Sequence, residues 1–205
     1  MRTYKTTGIV LHKRSLGEKD YAVTLFTPCH GKIQVMARGA RNIKSKFTGH
    51  VDLLNICEVQ IYNGPRNSIL SDCNLDINYA HFREDLNKFY ICEEIAKMIR
   101  NFTKEDENSE DIYDLLMETF AALNIYNKET LIFEAFKVKL FYLLGNMPDV
   151  YSLSDTEFSH FDIRQKKLLK FLLSQAYSEI IRVYLDKKDT HLLQKMTNDL
   201  LAYAT

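Results

Sequence analysis

A chain of 205 residues, 46% hydrophobic and 26% charged, is globular rather than disordered. At this length it buries roughly 70% of the surface its unfolded form would expose, so neither metal nor disulfides are needed for stability. The formal net charge is zero but unevenly spread: residues 1–80 hold eleven Lys and Arg against six Asp and Glu, the remainder sixteen against twenty-one. Such asymmetry points to a polyanion-binding half and a half that faces something else.

The first third reads as strands. Met1-Arg2-Thr3-Tyr4-Lys5 leads into alternation, with Ile9 and Leu11 against Val10 and His12, and not into a signal-peptide apolar block. A turn over Ser15 to Asp20 precedes a second run, Tyr21 to Phe26, of period two and β-favouring types. Thr27-Pro28-Cys29-His30-Gly31 is a turn, because Pro presets φ and Gly tolerates positive φ. Lys32 to Ala37 alternates again. After an irregular basic stretch, Cys57, Val59 and Ile61 alternate with Glu58, Gln60 and Tyr62. Asn63-Gly64-Pro65 turns the chain, and Ser68 begins a fifth strand. Five short strands joined by tight turns predict a small barrel of the oligonucleotide-binding (OB) kind.

From residue 81 the period is that of a helix. Phe82, Leu86, Phe89, Cys92, Ile95, Ile99 and Phe102 form one stripe. The polar run Thr103 to Ser109 is a loop, with Asn108 or Ser109 as N-cap and Glu105-Asp106-Glu107 as solvated charge. Ile112, Leu115, Leu116, Thr119, Phe120 and Leu123 form a second stripe. A third helix, Glu129 to Leu144, is apolar on nearly all sides and belongs in the middle of a bundle. Gly145 and Pro148 end it. A polar connection, Asp149 to Asp162, leads to a fourth helix through Leu168, Leu172, Ala176 and Ile180. A short last helix carries Leu192, Leu193, Met196 and Leu200. The reading is therefore an α+β chain of two domains: an OB-fold β-barrel over residues 1–80 and an all-α helical domain over 81–205.

The sharpest motif is Arg38-Gly39-Ala40-Arg41-Asn42-Ile43-Lys44-Ser45-Lys46-Phe47. It holds four cations and no acid, and such cations gain affinity by neutralising phosphates and releasing counterions. Lys13, Arg14 and Lys19, beside the first turn, make a second basic group, and loops at one end of an OB barrel often frame a bound strand. Phe47 and Tyr62 are candidates for base stacking, although an aromatic in a strand is more often core. No nucleophile–base arrangement, dinucleotide motif or phosphate-binding loop is present, so no catalysis and no cofactor are expected. The four Cys (29, 57, 73 and 92) and six His share no ligand spacing, so no metal is expected either. Without a secretion signal or a run of ~18 apolar residues, a cytoplasmic protein with reduced, mostly buried thiols is expected.

Thr7 to Leu11, Gly17 to Asp20, Leu25 to Ile33 and Ala37 to Arg41, in that order, resemble the N-terminal domain of the recombination mediator RecO family. Phe82 to Leu86 and Leu143 to Pro148 resemble that family's helical domain. The resemblance implies an OB-fold followed by helices. It implies binding of single- and double-stranded DNA, annealing of complementary strands, and help in loading RecA onto DNA covered by single-strand-binding protein. RecR is the partner it implies, RecA being reached indirectly, and a nucleoid-associated location follows. The family's basic surface maps first onto Arg38, Arg41 and Lys44, and secondarily onto Lys13, Arg14 and Lys19. Many relatives carry a four-Cys zinc module after the segment matching Gly145 to Pro148. Asp149 to Asp162 has no Cys, so zinc is not carried over, and the chain after Leu200 reads as short. The competing readings are a helical protein-interaction scaffold whose barrel binds no DNA, and an RNA-binding OB protein.

Overall fold

The computed structural model describes residues 2–147 and 161–203. Two compact units emerge, Met1–Tyr113 and Asp114–Thr205, and the division falls within a single helix.

Five strands, β1 (Arg2–Leu16), β2 (Asp20–Thr27), β3 (Gly31–Ala37), β4 (Ile56–Asn63) and β5 (Ser68–Ile77), close into a barrel in the order β1-β2-β3-β5-β4. All neighbours are antiparallel except β3 and β5, which meet in parallel at Met36 and Ile69. This is the expected OB-like barrel. Closure depends on β1 being long enough to serve two neighbours. Its first half pairs with β4 and its second half with β2, and Ile9 faces both Ile56 and Phe26. An irregularity between Val10 and His12 bends the strand at the changeover, as bulges do where a sheet must turn.

The period-two pattern then sorts the side chains. Val10, Val23, Leu25, Ile33, Val35, Cys57, Val59, Ile61, Leu70 and Cys73 fill the barrel. Ile9 and Leu11 point to the other face, as alternation demands, yet are fully buried, because helix α1 (Leu86–Phe102) packs on β1. Asp85 caps α1 by accepting from the amides of Asn87 and Lys88. The buried face of α1 is Ile91, Cys92, Ile95, Ala96, Met98 and Ile99. Leu86, expected in the apolar stripe, is 81% exposed, because it occupies the first helical turn, beyond that buried face. The helix also begins later than the pattern predicts: Ala80–Glu84 forms a tighter 3-10 turn.

Glu105-Asp106-Glu107, read as a solvated loop, is docked on the β2–β3 turn. Glu105 bridges to Gly31 and Lys32, the Asp106 amide donates to the Lys32 carbonyl at 3.2 Å, and the Ser109 amide donates to the Pro28 carbonyl at 3.1 Å. Backbone pairing, invisible in a run of acidic side chains, overrides the composition. Lys32 completes the joint by donating to the carbonyls of Arg100 and Thr103, both at 2.7 Å, at the C-terminal end of α1.

Helix α2 (Glu110–Ile125) carries the division between the units, and the Asn108 side chain accepts from its Glu110 amide. In the second unit, α3 (Glu129–Leu143) packs against α4 (Ile163–Ser174), α5 (Tyr177–Ile180) and α6 (Lys187–Tyr203). Ile132, Ala135, Phe136, Val138, Leu140 and Phe141 are fully buried, in keeping with an all-round apolar helix. Gly145, at φ 72°, lets the Asn146 amide reach back to the Phe141 carbonyl. The predicted fourth helix is two: it stops at Ser174, Gln175 is extended, and α5 restarts at Tyr177. The zinc-module position, residues 149–162, lies almost wholly outside the described residues. Among the described residues no His, Cys, Asp or Glu cluster is placed to hold a metal ion, and no helix is long and apolar enough to cross a membrane.

Glu134 and Lys137 on α3 are buried as a pair at 3.0 Å. Thr197 donates to the Glu134 carboxylate, and Lys137 also donates to Asn198 at 3.2 Å. Removing one member strands a buried charge. Lys137→Met is therefore expected to cost about 3–5 kcal/mol, and the double variant Glu134→Leu/Lys137→Met to recover most of it. Urea unfolding of the three proteins checks this, and equal losses in single and double variants would contradict it.

Gly31 is fixed by two constraints. Its φ is +54°, and a Cβ there would lie 2.2 Å from the Glu107 carbonyl oxygen. Gly31→Ala is expected to destabilise the first unit by about 2–4 kcal/mol, combining left-handed strain with overpacking. The same unfolding measurement reads it, and a loss below about 1 kcal/mol would mean the contact yields freely.

Candidate nucleic-acid interface

The chain between β3 and β4, residues 38–55, has no regular structure but is not loose. Ala40, Phe47 and Val51 are buried with the barrel core, so the connection folds over the barrel on three apolar anchors. Asn55 ties its end together, donating from Nδ2 to the carbonyls of Gly49 at 2.7 Å and His50 at 2.9 Å. Leu54, buried at φ 70°, is held there by its amide donating to Val10 and by the Val10 amide donating to Asn55, both at 2.9 Å.

The first part of this loop lies against the β1–β2 turn. The Gly39 amide donates to Asp20 Oδ1 at 2.8 Å, the Arg41 amide donates to the Lys19 carbonyl at 3.0 Å, and Arg41 Nη1 donates to the Gly17 carbonyl. Two basic segments that are separate in sequence, around Lys19 and around Arg38 to Lys44, thus share one end of the barrel. Antiparallel registry requires it, since Tyr21 opposes Ala37.

The seven sequence-predicted cations fall into two groups. Arg14, Lys19, Arg38, Arg41 and Lys44 are exposed, and among the described residues none has a carboxylate partner. Lys13 and Lys46 are paired. Lys13 meets Asp52 and lies over the Tyr21 ring at 5.1 Å. Asp52 also faces Arg83 at 3.6 Å. Lys46 meets Asp72 at 3.0 Å, donates to the Ser71 carbonyl at 2.6 Å and lies over the Phe47 ring. The hydrogen bond and charge of Lys46 hold the exposed Asp72 carboxyl below its ordinary value.

His12, on β1, is pushed below its usual value by partial burial and then by the Arg100 and Arg14 guanidiniums. Arg100 donates to the Leu11 carbonyl at 2.6 Å and is itself lowered by burial. Of the aromatics offered for stacking, Phe47 is 5% exposed and serves as an anchor, because its ring completes the barrel core. Tyr62 is half-buried on β4. Sequence reasoning missed the carboxylates that organise the region: Asp20 as tether, Asp52 and Asp72 as neutralisers. Nothing in their spacing marks them, since each acts on a residue at least 19 positions away.

An OB-like barrel with a cationic end, followed in the chain by an all-helical region, defines an α+β protein of the kind that the motifs suggested. A family profile described as recombination protein O N terminal matches residues 1–75, and one described as recombination protein O C terminal matches residues 83–204. The chain belongs to the RecO family. Curated relatives named DNA repair protein RecO include those of Thermoanaerobacter sp. (strain X514), 33% identical over 73% of this chain and 61% of that protein, and of Caldanaerobacter subterraneus subsp. tengcongensis, 34% identical over 72% and 60%. The RecO of Roseiflexus sp. (strain RS-1) is 27% identical over 73% and 53%. The matched part therefore spans about 60% of the length of the first two relatives.

The Asp20 tether can be tested directly. A hydrogen bond to a charged acceptor contributes about 1.5–3 kcal/mol. Asp20→Ala is expected to raise the exchange rate of the Gly39 amide by roughly tenfold or more, with strand amides unaffected. Hydrogen exchange followed by NMR reads it, and unchanged protection at Gly39 would show that the apolar anchors and the Arg41 hydrogen bonds hold the loop without Asp20.

Proposed function

We propose that this chain is a DNA-repair and recombination mediator that captures DNA strands on the cationic end of its barrel and helps complementary strands to pair. The observation that carries the reading is the backbone joint between the β1–β2 turn and the β3–β4 loop, which gathers exposed, unneutralised cations on one rigid surface. The family, and relatives named as DNA repair proteins, support it. Residues 1–80 do the capturing, and the acidic helical residues 81–205 are left for protein contacts. Single- and double-stranded DNA are the ligands. RecR and single-strand-binding protein are the protein partners, and RecA is loaded indirectly. The setting is cytoplasmic, at the nucleoid.

The mechanism is electrostatic, with no chemistry on the DNA. Two strands repel through their phosphates. Cations that neutralise several phosphates on each strand lower that repulsion and release condensed counterions. Contacts to phosphate are indifferent to sequence, as pairing any two complementary strands requires.

Each neutralised phosphate on single-stranded DNA contributes about −0.7 to the slope of log K against log salt concentration. The triple variant Arg38→Ala/Arg41→Ala/Lys44→Ala is therefore expected to flatten that slope by about 2 units and to slow annealing. Lys46→Ala is expected to change it less than any one of the three, because Asp72 already neutralises that cation. Melting of the variants is expected to stay close to that of the parent, since exposed substitutions usually cost within about 0.5 kcal/mol. Titration of single-stranded DNA at several salt concentrations is the measurement. A triple variant that melts normally and keeps the parental slope overturns the reading.

A further inference from the structure

Four apolar residues punctuate the β3–β4 connection between Arg38 and Val51: Ala40, Ile43, Phe47 and Val51. Three are buried in the barrel core. Ile43 is 92% exposed, the highest value among the large hydrophobic side chains described. A lone exposed aliphatic is ordinary on a mobile surface. This one is held out by a braced turn. The Ser45 amide donates to the Asn42 carbonyl at 2.8 Å, and the Lys44 amide donates to Asn42 Oδ1 at 3.1 Å. Thr48 Oγ1 reaches the carbonyls of Asn42 at 3.1 Å and Ile43 at 3.5 Å. Phe47 pins the turn from behind.

The neighbours of Ile43 say what it meets. Arg41 and Lys44 are exposed and free of carboxylate partners, and two residues of chain reach at most about 7 Å. An apolar tip this close to cations fits a ligand whose apolar faces lie beside anionic groups. Nucleic acid has that chemistry, with base faces flanked by phosphates. A single aliphatic side chain gains less by burial than opening an intact base step costs. It therefore seats where the stack is already broken.

We infer that Ile43 is a wedge that packs against the exposed base face at a junction between single-stranded and duplex DNA, while Arg41 and Lys44 hold the flanking phosphates. The inference rests on the proposed DNA binding and adds a structural preference to it. Phosphate contacts alone do not mark the boundary between single-stranded and duplex DNA. An apolar contact at the stack end directs the protein to the boundary where pairing advances, and places the cations on both strands there.

The test uses the full chain and three DNAs: a plain single strand, a blunt duplex, and a partial duplex with 2-aminopurine at the junction. The parent is expected to prefer the junction DNA over the plain strand and to change the 2-aminopurine fluorescence on binding. Ile43→Ser is expected to keep the parental melting temperature, plain-strand affinity and salt slope. It is expected to lose roughly tenfold in junction affinity, as exposure of one buried aliphatic side chain does, and to lose the fluorescence change. Ile43→Phe, apolar and larger, is expected to retain both. An Ile43→Ser protein that binds and reports the junction like the parent overturns the wedge and leaves the cationic capture standing. A parent that binds none of the DNAs removes the functional reading with it. Ile43-dependent binding to phosphatidylglycerol vesicles, with the junction readouts unchanged by the substitution, would assign the tip to an anionic lipid surface and also overturn the inference.

Discussion

Burial of Ala40, Phe47 and Val51 at the barrel is the constraint on which the rest of the interface depends. These side chains turn an irregular connection into part of the core. Their removal from water supplies the stabilisation that ordering a loop otherwise lacks. With the anchors inside, Arg38 just before them and Arg41 and Lys44 between them are left outside. Cations that strongly prefer water are thus presented rather than dispersed. The hydrogen bonds from Gly39 and Arg41 to the β1–β2 turn set the loop's position once the anchors have fixed its depth.

Count of cations and strength of field are different quantities here. Lys13 and Lys46 contribute to the basic composition but spend their charge locally, on Asp52 and Asp72. Both pairs are partly exposed, so each contributes little to stability. Their effect is on shape. Each holds a lysine in a defined place beside a ring, over Tyr21 or Phe47, and thereby borders the free cations with ordered side chains. The exposed Arg14, Lys19, Arg38, Arg41 and Lys44 act differently: among the described residues no ion pair has to break to free them, although Arg41 does donate to the Gly17 carbonyl.

The barrel was legible because its strands alternate cleanly and its turns carry Pro and Gly. Val23 and Leu25, and Ile33 and Val35, face one way, and both the burial and the pairing follow. Other features left no such mark. Ile9 to Leu11 are buried on both faces because a helix distant in sequence covers β1, and no local period reports that. The period of Leu168, Leu172, Ala176 and Ile180 predicts one long helix; Leu172 and Ile180 are buried, but the chain leaves the helix at the extended Gln175, so Ala176 becomes the N-cap of α5 and Tyr177 is buried beside Ile180. At the interface, the cations were evident as a run of residue types. Which of them are free depends on Asp52 and Asp72, whose partners are assembled only by the fold. Phe47 shows the same limit: an aromatic beside lysines reads equally as a stacking platform or an anchor until its depth is known.

The docked acidic segment bears on the cationic end through distance. Glu105 to Glu107 sit on the β2–β3 turn, whereas Lys19, Arg38 and Arg41 gather at the β1–β2 turn, at the other end of β2. Eight residues of strand, at about 3.3 Å each, separate the two by roughly 25 Å. That is about three Debye lengths at physiological salt. The acids are therefore too far to weaken the cations, yet close enough to their own turn to repel a backbone that strays there. Pairing Glu105 with Gly31 and Lys32 fixes this separation in the backbone, where side-chain motion cannot undo it. A unit with a modest surplus of basic residues thus keeps its docked acidic segment at one end of β2 and its exposed, unpaired cations at the other.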